Sequence, residues 1–382
     1  MRILLGHTFP ESATFGPCWI DSWLARLRAA GFEVYPFSLV FDQLRPVKYF
    51  HELDILWRYR DRRLLAMYQD LETTLLDYDV FICFNGANVH PEFVLSLGCF
   101  TVYGCFDDPE ASERLSKPVA AAFDLAMVGN IAEVDTYRSW GVQNVRWWPI
   151  GFREDDCDPS LTEQEILEGQ RDVEVALLCE RLTRYRKNRL DRFVQAFPNG
   201  TYYGKGWSSG FLSESQRITL LQQTRIGINI HNSTGPINFR TFYLPANGVM
   251  QICDNKDFLG RIFALETEVI GYDSIDEAID LTRYYLDHDE ERRRIAAAGW
   301  KRVINDYNEV ICFERVVDAI SDLNCGDTDK ERRQELVVDL SGRDRWLQQF
   351  VNGVMLAIWG ASYTLGRKIR ALIRKARMND YG

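Results

Sequence analysis

The chain has 382 residues, 46% of them apolar and 26% charged, which excludes disordered and fibrous classes and exceeds what one compact core usually holds. Two domains are therefore expected. Its 45 basic and 55 acidic residues leave a net charge of −10, which argues against a general nucleic-acid binder, whose binding face concentrates positive charge.

The charge is uneven: residues 343–382 hold eight Lys/Arg against two Asp, a local +6. Nine cysteines stand at 18, 83, 99, 105, 157, 179, 253, 312 and 325, with no C-x-x-C and no Cys/His cluster at zinc spacing. A reducing, cytoplasmic compartment is expected. The first residues offer a three-residue apolar run, Ile3-Leu4-Leu5, too short for a secretion signal.

Short apolar runs alternate with stretches of helical period, the pattern of parallel sheets covered by helices. In the first half, strands are expected at 3–6, 33–37, 80–84, 101–106, 125–128 and 145–149. Helices are expected near 17–30 and, as one long element, within 48–77. Residues 151–171 turn acidic and lose apolar period, reading as a linker with a short helix at 161–169. A second series follows, with strands at 173–178, 201–203, 226–230, 249–253 and 268–272. Helices at 184–197, 214–223, 238–247, 275–287 and 290–307 complete it. Two doubly wound α/β sheets in tandem imply a cleft, with ligands bound beyond the carboxyl ends of the strands. Neither half carries G-x-G-x-x-G or a Walker phosphate loop, which disfavours dehydrogenases and nucleotide hydrolases.

The most informative segment runs from Gly227 to Gly248. A buried strand ends at Ile230, a polar loop with Ser233, Thr234, Gly235 and Pro236 follows, and a helix begins near Asn238. That arrangement places backbone N–H groups and a positive helix end at the mouth of the cleft, where an anion is held. Helical spacing puts Arg240, Tyr243 and Asn247 on one face, toward a ligand, and Phe239, Phe242 and Ala246 on another, toward the core. A guanidinium suits phosphate oxygens bidentately; the competing reading is a solvated Arg240.

Arg181, Arg184, Arg186, Lys187 and Arg189 crowd the start of the next candidate helix, where an anion relieves their repulsion and a solvated basic face is the alternative. The turn Gly204-Lys205-Gly206-Trp207 permits close backbone approach and offers a stacking ring, or is a plain turn with a packed Trp. In the first half, Asp107 and Asp108 follow a strand and can orient hydroxyls or act as a base. Asp107 with Glu110 also fits a capping box. His7, at the end of the first strand, is a further candidate for the cleft, or a structural histidine.

Several of these segments resemble the CgeB-like (spore-maturation protein B-like) glycosyltransferases, a branch of the two-domain GT-B enzymes. The resemblance covers roughly residues 1–325. It is carried by Gly227–Gly248, by Tyr284-Tyr285-Leu286 through Ala298-Gly299, by Phe106-Asp107-Asp108-Pro109, by Tyr137-Arg138-Ser-Trp-Gly141-Val142 and by Tyr203-Gly204-Lys205-Gly206-Trp207. It implies two Rossmann-like domains facing a cleft: an acceptor domain at 1–155, a nucleotide-sugar domain at 156–325, and a helical tail at 326–382. Arg240 and the loop Ser233–Asn238 then face the donor diphosphate, with Arg181, Arg184 or Lys187 adding charge. Lys205 assists, and Trp207 or Tyr243 meets nucleoside or sugar. Asp107, Asp108 and His7 stand as catalytic candidates. Positioned cations make a bound metal unnecessary, and no cofactor beyond the nucleotide-diphosphate sugar is implied. After Arg-Thr-Phe the family usually has a glutamate where Tyr243 stands, so a non-catalytic binding or scaffold protein of the same fold is the alternative. A sugar-nucleotide epimerase is a third reading. The acceptor is a glycan or another molecule.

Residues 346–366 contain no charged side chain, and six Lys/Arg follow by residue 377. Their glycines and polar residues make a poor membrane span; an interfacial amphipathic helix on anionic lipid is expected, or a helix docked on protein.

Overall fold

The computed structural model describes residues 1–9, 19–42, 47, 49–85, 88–179, 184–231, 238–323 and 330–342. Two wholly parallel sheets form two lobes. The first contains Arg2–His7 (β1), Glu33–Ser38 (β2), Val80–Phe84 (β3), Phe100–Cys105 (β4), Leu125–Val128 (β5) and Val145–Trp147 (β6), in the order β2-β1-β3-β4-β5-β6. The second contains Val173–Leu178 (β7), Thr201–Tyr203 (β8), Thr224–Asn229 (β9), Met250–Cys253 (β10) and Ile270–Gly271 (β11), in the order β11-β10-β9-β7-β8. The expected doubly wound pair of sheets is therefore present.

Apolar alternation divides the layers of the first lobe. Ile3, Leu5, Val80 and Ile82 enter one core, while Leu4, Phe81 and Cys83 enter the core on the opposite face. In the second lobe Ile226 and Ile228 face one side of β9. Gly227 faces the other, where a Cβ would stand 2.9 Å from Leu244, so glycine lets the helix Arg240–Ala246 lie close on the sheet.

The single helix expected within 48–77 is two, Phe50–Arg58 and Arg62–Leu75. Arg60 takes a positive φ of 55°, and Asp61 caps the second helix by accepting from Arg63 N and Leu64 N. The last strand of the first lobe stops at Trp147 rather than 149, where the chain turns toward the junction.

The chain crosses between lobes twice, side by side. Phe152 on the outward crossing bridges Asn308 on the return, with Phe152 N donating to Tyr307 O at 3.0 Å. The returning helix Glu309–Leu323 then packs on the first lobe: Phe313 meets Trp23 and Phe32 edge-on at 5.9 and 5.3 Å. Glu309 pairs with Arg26. Lys330–Gly342 also lies there, with Arg333 Nη2 2.7 Å from Asp124 Oδ1. The described residues of Glu309–Leu323 and Lys330–Gly342 thus pack on the first lobe, on both sides of the expected division at 325/326. The basic tail 343–382, and with it the expected lipid or protein contact, lies outside the described residues. Among the described residues no helix is long and apolar enough to cross a membrane, and the seven described cysteines are free thiols.

Gly151 marks the outward crossing, with φ at 62° and an added Cβ 2.5 Å from Tyr307 O. Gly151→Ala combines left-handed strain with that clash and is expected to lower unfolding stability by about 2 kcal/mol, read as a lower urea midpoint.

Candidate functional site

The lobes enclose a cleft of about 1000 Å³, at the large end of the roughly 300–1,000 Å³ usual for ligand sites. Arg240, Asn238, Phe239 and Tyr243 line it from the second lobe; Thr8, Asn85, Asp107 and Glu110 do so from the first; Arg153 and Glu309 line it at the junction.

The second-lobe wall is built on Asn229, the fully buried last residue of β9. Its Nδ2 donates to Gln251 Oε1 (3.0 Å), Thr241 Oγ1 (3.2 Å) and Asn238 Oδ1 (3.3 Å). Its Oδ1 accepts from Asn238 Nδ2 (2.9 Å) and Arg240 Nε (3.1 Å). Arg240 Nη1 also donates to Leu178 O at 3.1 Å and Nη2 to Ile230 O at 3.5 Å. Three of the five guanidinium N–H groups thus fix the side chain to the ends of β7 and β9, and two remain for a ligand in the cleft it lines. The helix that begins at Arg240 spans only seven residues, so the fixed cation, more than a long helix dipole, supplies the positive charge.

Behind this wall His231 Nδ1 lies 2.6 Å from Asp254 Oδ1, and its Nε2 lies 3.3 Å from Thr241 Oγ1. Burial, with Arg240 and Arg186 nearby, holds the His231 pKa below its ordinary value against the opposing pull of Asp254. His231, Cys253 and Asp254 bring potential ligand atoms within 4.8 Å of one another. Burial pushes the Cys253 thiol far up, and two neighbouring guanidiniums oppose a cation, so the group fits a hydrogen-bonded support better than a metal centre.

On the first-lobe wall Asn85, at a positive φ of 48°, ties the end of β3 to that of β4: Asn85 N donates to Gly104 O (2.7 Å) and Phe106 N to Asn85 Oδ1 (2.8 Å). Asn85 Nδ2 then donates to Asp107 Oδ2 at 3.2 Å, so Asp107 is aimed by Asn85 and makes no capping box with Glu110. Burial, and next the charges of Asp108 and Glu110, hold the Asp107 carboxyl above its ordinary pKa.

Asp108 points the opposite way. It is fully buried, accepts from Tyr137 Oη at 2.6 Å and does not line the cleft. His7 is also buried; its ring stacks at 6.0 Å on Phe9, which does line the cleft. Asn247, expected toward the ligand, is buried and donates to Asp156 O and Tyr243 O. Phe239, expected in the core, is exposed on the cleft wall. Phe239 and Asn247 are the residues that flank the helix at its two ends, so neither keeps the face expected from a helix over 238–247.

Lys187 and Lys205 are exposed and outside the cleft lining. Trp207 packs on Tyr202 at 5.2 Å and donates from Nε1 to Cys179 O. The loop residues Ser233, Thr234 and Gly235, with Arg181 and the Arg184 side chain, lie outside the described residues.

Sequence reading missed Asn85, Arg153 and Glu309. Arg153 is clasped by buried Asp156 through Nε (3.0 Å) and Nη2 (2.8 Å), and Arg217 pairs with the same carboxylate while its guanidinium lies 5.4 Å from the Tyr243 ring centre. Burial pushes the Tyr243 hydroxyl up to about 12, so it faces the cleft as a neutral phenol. An Arg followed three residues later by Asp was the available signal for the clasp; nothing local marks the cleft it faces.

Asn229→Ala strands Arg240 Nε and the Asn238 amide, and is expected to cost about 1–3 kcal/mol, checked by urea unfolding.

Residues 177–318 match the family described as glycosyl transferase-like. No curated protein matches the sequence. Among solved structures, Anabaena HepE in complex with UDP and glucose is similar with a TM-score of 0.58 and 12% identity, covering 85% of this chain and 100% of that one. Sucrose-phosphate synthase from Thermosynechococcus elongatus gives 0.57 and 13% over 85% and 100%. A glycosyltransferase from Rickettsia africae gives 0.55 and 11% over 90% and 99%. The fold of this chain therefore resembles that of the GT-B glycosyltransferases, and residues 177–318 are similar to a glycosyl transferase-like family.

Proposed function

We propose that the protein transfers a sugar from a nucleotide-diphosphate sugar to an acceptor hydroxyl held in the cleft. The observation that carries this reading is Arg240, fixed by three hydrogen bonds at the carboxyl ends of β7 and β9 on the wall that faces Asp107 across one cavity. HepE structures hold UDP and UDP-glucose, which supports a UDP-linked donor.

In this reading the acceptor hydroxyl gives its proton to the Asp107 carboxylate. Its oxygen forms a bond to the anomeric carbon as the bond from that carbon to the diphosphate breaks. The electron pair leaves with the diphosphate, whose growing charge Arg240 stabilises; a cation fixed beforehand needs little reorganisation at that moment. Burial, and next the charges of Asp108 and Glu110, raise the proton affinity of Asp107, which suits a base working nearer neutrality. The charge on the leaving group is assigned to side chains rather than a divalent ion, so transfer is expected to persist in EDTA.

A second reading, a protein that binds the donor without turning it over, is favoured by Tyr243, a neutral phenol where the resembling family carries a carboxylate. It is separated from the first by whether bound UDP-glucose or a related donor is consumed.

Arg240→Ala removes charge-assisted hydrogen bonds worth about 1.5–3 kcal/mol, so UDP affinity by calorimetry is expected to fall roughly 10–100-fold. Affinity unchanged in Arg240→Ala rules out the phosphate assignment. If Asp107 is the base, turnover falls as pH drops through its raised pKa. Glu110→Gln removes the smallest of the three causes that raise that pKa and is expected to move the acidic limb of the pH–rate profile slightly to lower pH; full turnover in Asp107→Asn removes Asp107 from the role.

A further inference from the structure

The first-lobe wall facing Arg240 has a different chemistry. Trp23, Phe84, Phe106 and Trp148 line the cleft there as one connected cluster of rings. Ring centres stand 5.1 Å apart for Phe84–Phe106 and Phe106–Trp148, 5.7 Å for Phe84–Trp148 and 5.8 Å for Trp23–Phe84. The interplanar angles of these pairs run from 38° to 77°. Trp23, Phe84 and Trp148 are only 6, 7 and 2% exposed. Tilted packing holds these rings against one another, and Leu115 and Val47 extend the same apolar floor.

A bound saccharide is commonly held by two things that are scarce among the described residues of this wall. One is an open aromatic face for the ring to lie on. The other is a partner for the hydroxyl on nearly every carbon, because each polar group removed from water unpaired costs free energy. The described polar side chains of the wall are Thr8, Asn85, Asp107 and Glu110, gathered beyond the ends of β1, β3 and β4, and the phenol of Tyr49 on the far side of the floor. Only Asp107 and Glu110 among them carry charge. A floor of packed rings and aliphatic groups with one carboxylate cluster at its rim matches a molecule with a single polar end.

We infer that the acceptor is an amphiphilic alcohol, one hydroxyl carried on a hydrocarbon or aromatic body, and not a glycan. The hydroxyl lies at Asp107 and the apolar body on the Phe106–Trp148 floor. As the acceptor of sugar transfer, this ligand rests on the reading proposed above; as a site for apolar alcohols, it stands on the wall alone.

Calorimetric titration and ligand-observed NMR on the full chain, with n-octanol, 2-naphthol and maltotriose as probes and UDP as the reference ligand, test the inference. At least one of the two alcohols is expected to saturate a site at least tenfold more tightly than maltotriose. Ala111→Phe fills the half-buried cleft wall beside Glu110 without opening a void in the core. It is expected to weaken alcohol binding at least tenfold while UDP affinity changes less than twofold, which also reports that the variant is folded. Maltotriose binding as tightly as both alcohols, absence of saturable alcohol binding, or alcohol binding indifferent to Ala111→Phe overturns the inference. Failure of UDP to bind the unsubstituted chain, with Ala111-sensitive alcohol binding intact, supports the apolar site and removes the donor reading instead.

Discussion

The buried carboxamide of Asn229 is the constraint on which the second-lobe wall depends. At the end of β9 it lies beyond the reach of water, so its donors and acceptor must be met from within. It meets them by gathering Gln251 of β10, Asn238, Thr241 and Arg240 around one point. The polar residues of the strand-loop-helix unit are therefore less a collection of ligand contacts than a scaffold that holds one guanidinium still. His231 and Asp254 extend the scaffold behind it through Thr241.

The second determinant is the junction. Arg26 of the first lobe meets Glu309, and Asp155 lies 3.0 Å from the same guanidinium, so the two crossings and the first-lobe helix Trp19–Ala29 share one cluster of charge. Arg153, clasped by Asp156, and Glu309 then reach the cleft from the junction itself. The cleft has an electropositive wall, a carboxylate rim, an apolar floor and a charged seam, contributed by segments more than 300 residues apart in sequence.

Much of the architecture was legible because buried parallel strands leave continuous apolar runs, and all eleven strands overlap runs of this kind with ends shifted by a residue or two. The shortest, Ile270–Gly271, keeps only two of the five residues expected at 268–272. The break at Tyr59–Asp61 was not legible, since a helical period continues across it and only the Asp61 cap restarts the helix. The place of Arg240 on the cleft wall follows strand-loop-helix order, a local signal. Asp107 and Asp108 could not be told apart by spacing: adjacent side chains leave a strand end in opposite directions, and which one meets the cleft depends on Asn85, more than twenty residues away. Trp207 offered a plausible stacking ring, but Tyr202 and the Cys179 carbonyl already occupy it.

The return of the helix Glu309–Leu323 to the first lobe bears on how the chain acquires its structure. Trp23, Phe32 and Trp148 find Phe313 only after the whole of β7 to β11 has been made. On a ribosome the middle of the polypeptide can close its sheet while the beginning still waits for its last wall. The order of maturation is thus inverted relative to simple N-to-C domain assembly, and the lobe begun first is the one finished last.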